Sequence, residues 1–191
     1  GHSVPERASG RGGERSVAGC YPRLVNSIRA TRYLFVCTAN INRSPTAAAW
    51  AEHHLAEHFV SAENRSAGVA AWQGAKASAY AIDVMREQGM DMREHRSQPT
   101  HSELLLWADH IIVMEPGHAA HIIQMQPEVE ERIIGLWRYL SDEAEEVYDP
   151  HRQTIDVFRA SCTSLGEAVK RLVAEHLAAR RAARKMPAGG S

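Results

Sequence analysis

Cysteine is scarce in this chain of 191 residues, which holds only three. Cys20, Cys37 and Cys162 stand too far apart for a C-x-x-C metal site. Their odd number disfavours a disulfide framework and points to a reducing compartment, so the cytoplasm is the expected location. Also missing is any apolar run near the roughly 20 residues of a membrane span. The N-terminus lacks the apolar stretch of a secretory signal. Charge of one sign is missing too: a formal net charge of -1 leaves no overall footprint for nucleic acid or a membrane surface. No internal repeat is visible. What remains, 44% hydrophobic and 24% charged, is the composition of an ordinary globular domain with one core.

Three stretches are expected. Residues 1–31 read as a flexible basic arm rich in Gly, Ser and Arg, in which Gly1-His2-Ser3 resembles an expression scar. Within the arm, Tyr21 to Ile28 has the makings of a short docking helix. Residues 32–177 form the domain, and residues 178–191 a basic tail carrying Arg180, Arg181, Arg184 and Lys185. Inside the domain, strand and helix patterns alternate. Tyr33–Thr38 reads as a buried strand, and Ser44-Pro45 then opens a helix to Glu57 with serine as its cap. Further strands are expected over Phe59–Ser66, Asp109–Met114 and Glu131–Trp137, and further helices over Ala75–Gln88 and Pro116–Gln124. In the last helix Ile155, Phe158, Cys162, Leu165, Val169, Leu172 and His176 share one face. This alternation implies an α/β fold: one three-layer domain, a four-stranded parallel sheet with helices on both faces. Ligands of such sheets bind beyond the carboxyl ends of the strands.

The segment "VCTANINRSP" occupies that place, after the first strand. A Cys with an Arg six places later is weak evidence alone; the strand before and the Ser-Pro helix start after it supply the context. A short loop running into a helix turns several N–H groups and the positive end of the helix dipole toward one anion. That field favours a thiolate at Cys37. Arg43 returns a planar fork to two phosphate oxygens, which a lysine does not reproduce. Ser44 is placed either to cap the helix or to donate to the Cys37 sulfur.

These residues resemble the signature loop of the low-molecular-weight protein tyrosine phosphatases, V-C-x-G-N-x-C-R-S-P. Supporting matches follow in order: "SAGV" from Ser66, "HRS" from His95, "ADHIIVM" from Ala108 and "DP" at Asp149-Pro150. The resemblance spans about Tyr33 to Val173. It implies a phosphate-binding loop of Thr38, Ala39, Asn40, Ile41, Asn42 and Ser44, with Cys37 as nucleophile through a phosphocysteine. Asp149 is implied as general acid and then base, although by chemistry alone Asp142, Glu143, Glu145 and Glu146 compete. It further implies a left-handed Asn40 held by Ser44, Ser66 and His95, and a substrate wall from Trp72 and His151. No metal or cofactor is required, since Arg43 and the loop amides neutralise the phosphate. The expected partners are phosphotyrosine-containing proteins and an opposing tyrosine kinase.

The chain departs from the pattern at three points. Ala39 stands where glycine is common, and its methyl would crowd an unusual backbone angle. Asn42 replaces a second cysteine, which removes the thiol that protects the nucleophile from oxidation. His151 and Arg152 follow Asp149-Pro150, where relatives carry aromatics. By analogy with the family it resembles, Ile41 bears on substrate: related bacterial enzymes that act on phosphoarginine have threonine at this position, whereas isoleucine accompanies phosphotyrosine activity. Phosphotyrosine is therefore the expected substrate. A phosphoarginine phosphatase and a non-catalytic phosphoprotein binder are the alternatives, while an arsenate reductase lacks its relay cysteines. His53, His54 and His58, and His118 with His121, have helical spacings but read as solvated helix faces rather than metal sites.

Overall fold

The computed structural model describes residues 29–141 and 143–185. The arm over residues 1–28 with Cys20 and the Tyr21–Ile28 helix, the tail over residues 186–191, and Asp142 lie outside the described residues. Four strands form one sheet: β1 (Thr31–Cys37), β2 (Ala62–Gly68), β3 (His110–Val113) and β4 (Ile133–Gly135). Their order is β2-β1-β3-β4, and every pairing is parallel. Five α-helices alternate with them: α1 (Arg43–Glu57), α2 (Ala79–Glu87), α3 (Ser102–Trp107), α4 (Pro116–Met125) and α5 (Ile155–Lys185). The expected α/β class, four parallel strands and two helical layers are all present.

Alternation along β1 builds the three layers. Tyr33, Phe35 and Cys37 turn to one face and pack with Ala47, Ala51 and Leu55 of α1 and Leu165, Val169 and Leu172 of α5. Leu34 and Val36 turn to the other and meet Leu104 and Leu105 of α3 and Ile122 of α4. Because β1 lies between β2 and β3, the chain leaves it on one side and returns on the other. The carboxyl end of β1 is thus the switch point where a crevice opens.

Several element boundaries differ from expectation, each for a local reason. Helix α1 starts at Arg43 with Asn42 as N-cap, and Ser44 makes no cap bond because its hydroxyl faces the Cys37 sulfur. Strand β2 begins at Ala62, since Phe59 at φ 54 closes α1: its N–H reaches the Ala56 carbonyl oxygen and that of Val60 reaches Leu55. This is a Schellman turn with phenylalanine where glycine is usual, so it read as strand. Helix α2 starts at Ala79 under a Ser78 cap, because Gly74 and Ala75 pair with Ser97 instead. The expected fourth strand shortens to Ile133–Gly135 between 3-10 turns at Pro127–Arg132 and Leu136–Tyr139. The short α3 had no periodicity to announce it. Helix α5 runs on to Lys185, past the expected domain end at residue 177. Among the described residues no helix is long and apolar enough to cross a membrane.

Candidate active site

The loop between β1 and α1 is shaped from behind by Asn40. Its backbone lies at φ 56, a conformation asparagine tolerates because its short amide bonds locally. The fully buried Asn40 Nδ2 donates to Ser44 Oγ and Ser66 Oγ, both at 2.9 Å, and its Oδ1 accepts from the Gln98 N–H at 3.0 Å. His95 Nε2 lies 2.7 Å from the Asn40 carbonyl oxygen, and burial pushes this imidazole below the usual histidine range. Gly68, at the end of β2, completes the support. A Cβ there would come within 2.5 Å of the Thr38 carbonyl oxygen and 2.9 Å of the Asn40 nitrogen, which explains the glycine in "SAGV". Ala39 is not among the residues with positive φ, so its methyl introduces no backbone strain.

In front of the loop opens a cavity of about 260 Å³ lined by Cys37, Thr38, Ala39, Ile41, Asn42, Arg43, Asp149 and His151. Cys37 Sγ lies 3.0 Å from Ser44 Oγ, which is also 3.2 Å from the Ala67 carbonyl oxygen. The hydroxyl can therefore donate to a thiolate, or accept from a thiol while donating to Ala67. Within the described residues, the N–H groups of Ala39, Asn40, Ile41 and Asn42 have no acceptor, as an anion cradle requires.

Arg43 crosses the cavity floor with its side chain 3% exposed. Its Nη1 donates to a Glu115 carboxylate oxygen and, at 3.0 Å, to the Val147 carbonyl oxygen. Its Nη2 lies 2.9 Å from Asp149 Oδ2 and 3.4 Å from Thr38 Oγ1. Asp149 Oδ1 accepts the His151 N–H at 3.0 Å, so the Asp-Pro turn orients the carboxylate over the loop. Among its described rivals, Glu143, Glu145 and Glu146 are exposed and line no part of the cavity.

The structure thus brings together Cys37, Arg43, Asp149 and the loop, with Ser44, Ser66 and His95 behind it. Trp72 is 85% exposed and is not among the residues lining this cavity. His151 does line it. Cys162 points away into the α2–α5 core, 3.3 Å from Met85 Sδ, where burial pushes its thiol up. Two neighbours of the site are not among the expected site residues: Glu115, and His118, which reads from sequence as a solvated face; both come from "MEPGH" directly after β3. His118 is buried, not a solvated face, and its Nε2 lies 3.0 Å from Thr38 Oγ1. Burial is the main force holding His118 below the usual histidine range, with Glu115 opposing it. The signal was there, since the carboxyl end of β3 borders the switch point. His54 is also buried rather than solvated, stacked on Trp50, with Glu57 Oε2 3.1 Å from its Nδ1. The ligand atoms of His53, His54 and Glu57 lie within 4.8 Å of one another.

A doubly wound domain with a cysteine, an arginine and a loop of open N–H groups at its switch point fits a phosphatase-type hydrolase. Residues 32–183 match the model of the low molecular weight phosphotyrosine protein phosphatase family, and the chain belongs to that family. It is 36% identical over 141 residues to a protein-arginine-phosphatase of Geobacillus stearothermophilus, covering 74% of this chain and 93% of that protein. The solved structure of the YwlE arginine phosphatase from Geobacillus stearothermophilus superposes with a TM-score of 0.72 at 34% identity, covering 82% of this chain and 99% of that one. The low molecular weight protein-tyrosine-phosphatase Wzb of Escherichia coli K12 is 32% identical, covering 69% of this chain and 86% of Wzb.

These comparisons overturn the phosphotyrosine expectation. Identity and coverage are both higher for the arginine phosphatase than for Wzb. Ile41 misled because one apolar side chain describes only one wall. The same cavity is also lined by the Asp149 carboxylate, which suits a cationic group.

Proposed function

We propose that the protein is a protein-arginine phosphatase that hydrolyses phosphoarginine through a phosphocysteine. The observation that carries this reading is the 36% identity extending over 93% of the Geobacillus arginine phosphatase. The site chemistry is consistent with it. Arg43 carries two carboxylate partners, Glu115 and Asp149, and the second lines the cavity. The Asp149 carboxylate can face a cationic guanidinium, while the phosphoryl group takes over the Arg43 face that Asp149 holds.

The steps follow from the positions. The Cys37 thiolate attacks phosphorus as the P–N bond breaks, and the electron pair leaves with the guanidino nitrogen. Asp149, displaced from Arg43, gives that nitrogen a proton and releases arginine. Water then enters in line. Asp149 takes its proton, the new O–P bond forms, the S–P bond breaks, and sulfur recovers its electron pair. Ser44 steadies that sulfur, while Arg43 and the loop amides hold the three equatorial oxygens throughout.

The test is selectivity. Phosphate release is measured from a phosphoarginine-bearing protein and from a phosphotyrosine peptide. A kcat/KM higher for phosphoarginine by at least about tenfold is expected, equivalent to roughly 1.4 kcal/mol of transition-state discrimination. Equal or reversed preference would overturn the assignment. Tight binding of phosphoprotein without phosphate release would point to the non-catalytic alternative.

A further inference from the structure

His118 stands on α4, outside the loop, and no step above uses it. Its Nε2 has two neighbours: Thr38 Oγ1 at 3.0 Å and Glu115 Oε2 at 3.9 Å. Its Nδ1 is buried without a partner among the described residues. A carboxylate on the Nε2 side favours the tautomer that carries the proton there, because an N–H directed at negative charge is stabilised and a lone pair is not. With Nε2 as donor, the Thr38 oxygen accepts from His118 and also, at 3.4 Å, from Arg43 Nη2. A hydroxyl has two lone pairs and one hydrogen. Both lone pairs are then occupied by groups that cannot accept, so the hydrogen must point elsewhere. Thr38 is exposed and lines the cavity beside Cys37, which is where that hydrogen is free to go.

We propose that His118 is a positioning residue: its Nε2–H holds the Thr38 hydroxyl with the hydrogen aimed into the Cys37 cavity, as a donor to the bound phosphoryl group. This rests on the cavity being a phosphoryl site, though not on which phosphorylated side chain it receives. The residue following the nucleophile thereby adds a side-chain donor to the ring of loop amides. In the opposite tautomer, His118 would accept the Thr38 hydrogen and turn it away from the site.

The probe is inorganic phosphate, the product, whose dissociation constant is measured by calorimetry on the full chain; turnover of phosphoarginine is measured alongside. One hydrogen bond to a charged acceptor corresponds to about a tenfold change in affinity. Thr38→Val is expected to weaken phosphate binding by about that factor, and Thr38→Ser to leave it near the parent value. His118→Leu should weaken it similarly in the parent, yet change it little in the Thr38→Val background, since its effect passes through that hydroxyl. His118→Gln, which places an amide N–H near the same point, should restore most of the loss. The imidazole 15N shifts of His118 should report a proton on Nε2. Equal losses from His118→Leu in both backgrounds would mean that it acts through Glu115 and Arg43, and would overturn the proposal. So would an Nδ1 proton, or a Thr38→Val variant that binds phosphate normally. The last comparison stands even if His118→Leu fails to fold. Failure of phosphoarginine turnover with these phosphate affinities intact would sink the substrate assignment alone.

Discussion

Asn40→Ala is the substitution whose cost the structure defines most fully. It removes three side-chain hydrogen bonds, of 2.9, 2.9 and 3.0 Å, from a fully buried residue. The partners left behind are Ser44 Oγ and Ser66 Oγ, which lose a donor, and the Gln98 N–H, which loses its acceptor. At about 1 kcal/mol each, these come to roughly 3 kcal/mol. Alanine must also hold φ 56, which adds about 1 kcal/mol relative to asparagine. The total is about 3–5 kcal/mol of unfolding free energy, read from urea transitions of parent and variant at pH 7. Asn40→Gly separates the two contributions, because glycine adopts positive φ freely but makes none of the bonds. It should recover about 1 kcal/mol of the loss and little activity. An Asn40→Ala variant destabilised by less than about 1 kcal/mol would refute the idea that this side chain holds the loop in shape.

Three more substitutions follow from the same geometry. Gly68→Ala drives a methyl into loop backbone that cannot yield, so a cost of about 2 kcal/mol and a collapse of phosphate affinity are expected by calorimetry and urea melts. Normal affinity would mean that the loop adjusts freely. Arg43→Lys keeps the charge but loses the fork, and should lower kcat/KM by about 100-fold or more in steady-state assays. A change within threefold would contradict the role given to the guanidinium. His176, stacked on Tyr33 with the hydroxyl 3.2 Å away and tilted against His110, is pushed down to about 4 from 6.5 by burial and then by His110. As pH falls from 6.5 toward 4 the unfolded chain takes up this proton and the native one does not, so stability drops with pH in that window. The loss is about 1–2 kcal/mol after allowance for solvent screening of a half-buried ring. It should be absent from His176→Gln in urea melts at pH 7 and 5.

The parts of this molecule legible in sequence are those set by short-range chemistry. Strand β1 showed itself as an apolar run, α5 as a face of residues three and four apart, and the loop as Cys, Asn, Arg and Ser-Pro in a fixed order. Asp149 was reached only through the family pattern, because Glu143, Glu145 and Glu146 are chemically equivalent until the fold presses one carboxylate against Arg43. Glu115 and His118 were missed because their role exists only after β3 is laid beside β1. Phe59 read as strand because nothing local says that an apolar residue will take a left-handed turn. The substrate preference is not legible from Ile41 for a related reason: it is one side chain, and the cavity is also lined by Asp149 and His151, more than a hundred positions later.

The most direct measurement is phosphate release from a phosphoarginine-bearing protein by the reduced parent and by Cys37→Ser, in EDTA. Turnover by the parent and none by the variant is the expected result, and it would make Cys37 the nucleophile of a phosphate cradle built by Asn40, Arg43 and Gly68. Undiminished release by a folded Cys37→Ser protein would contradict the mechanism at its first step.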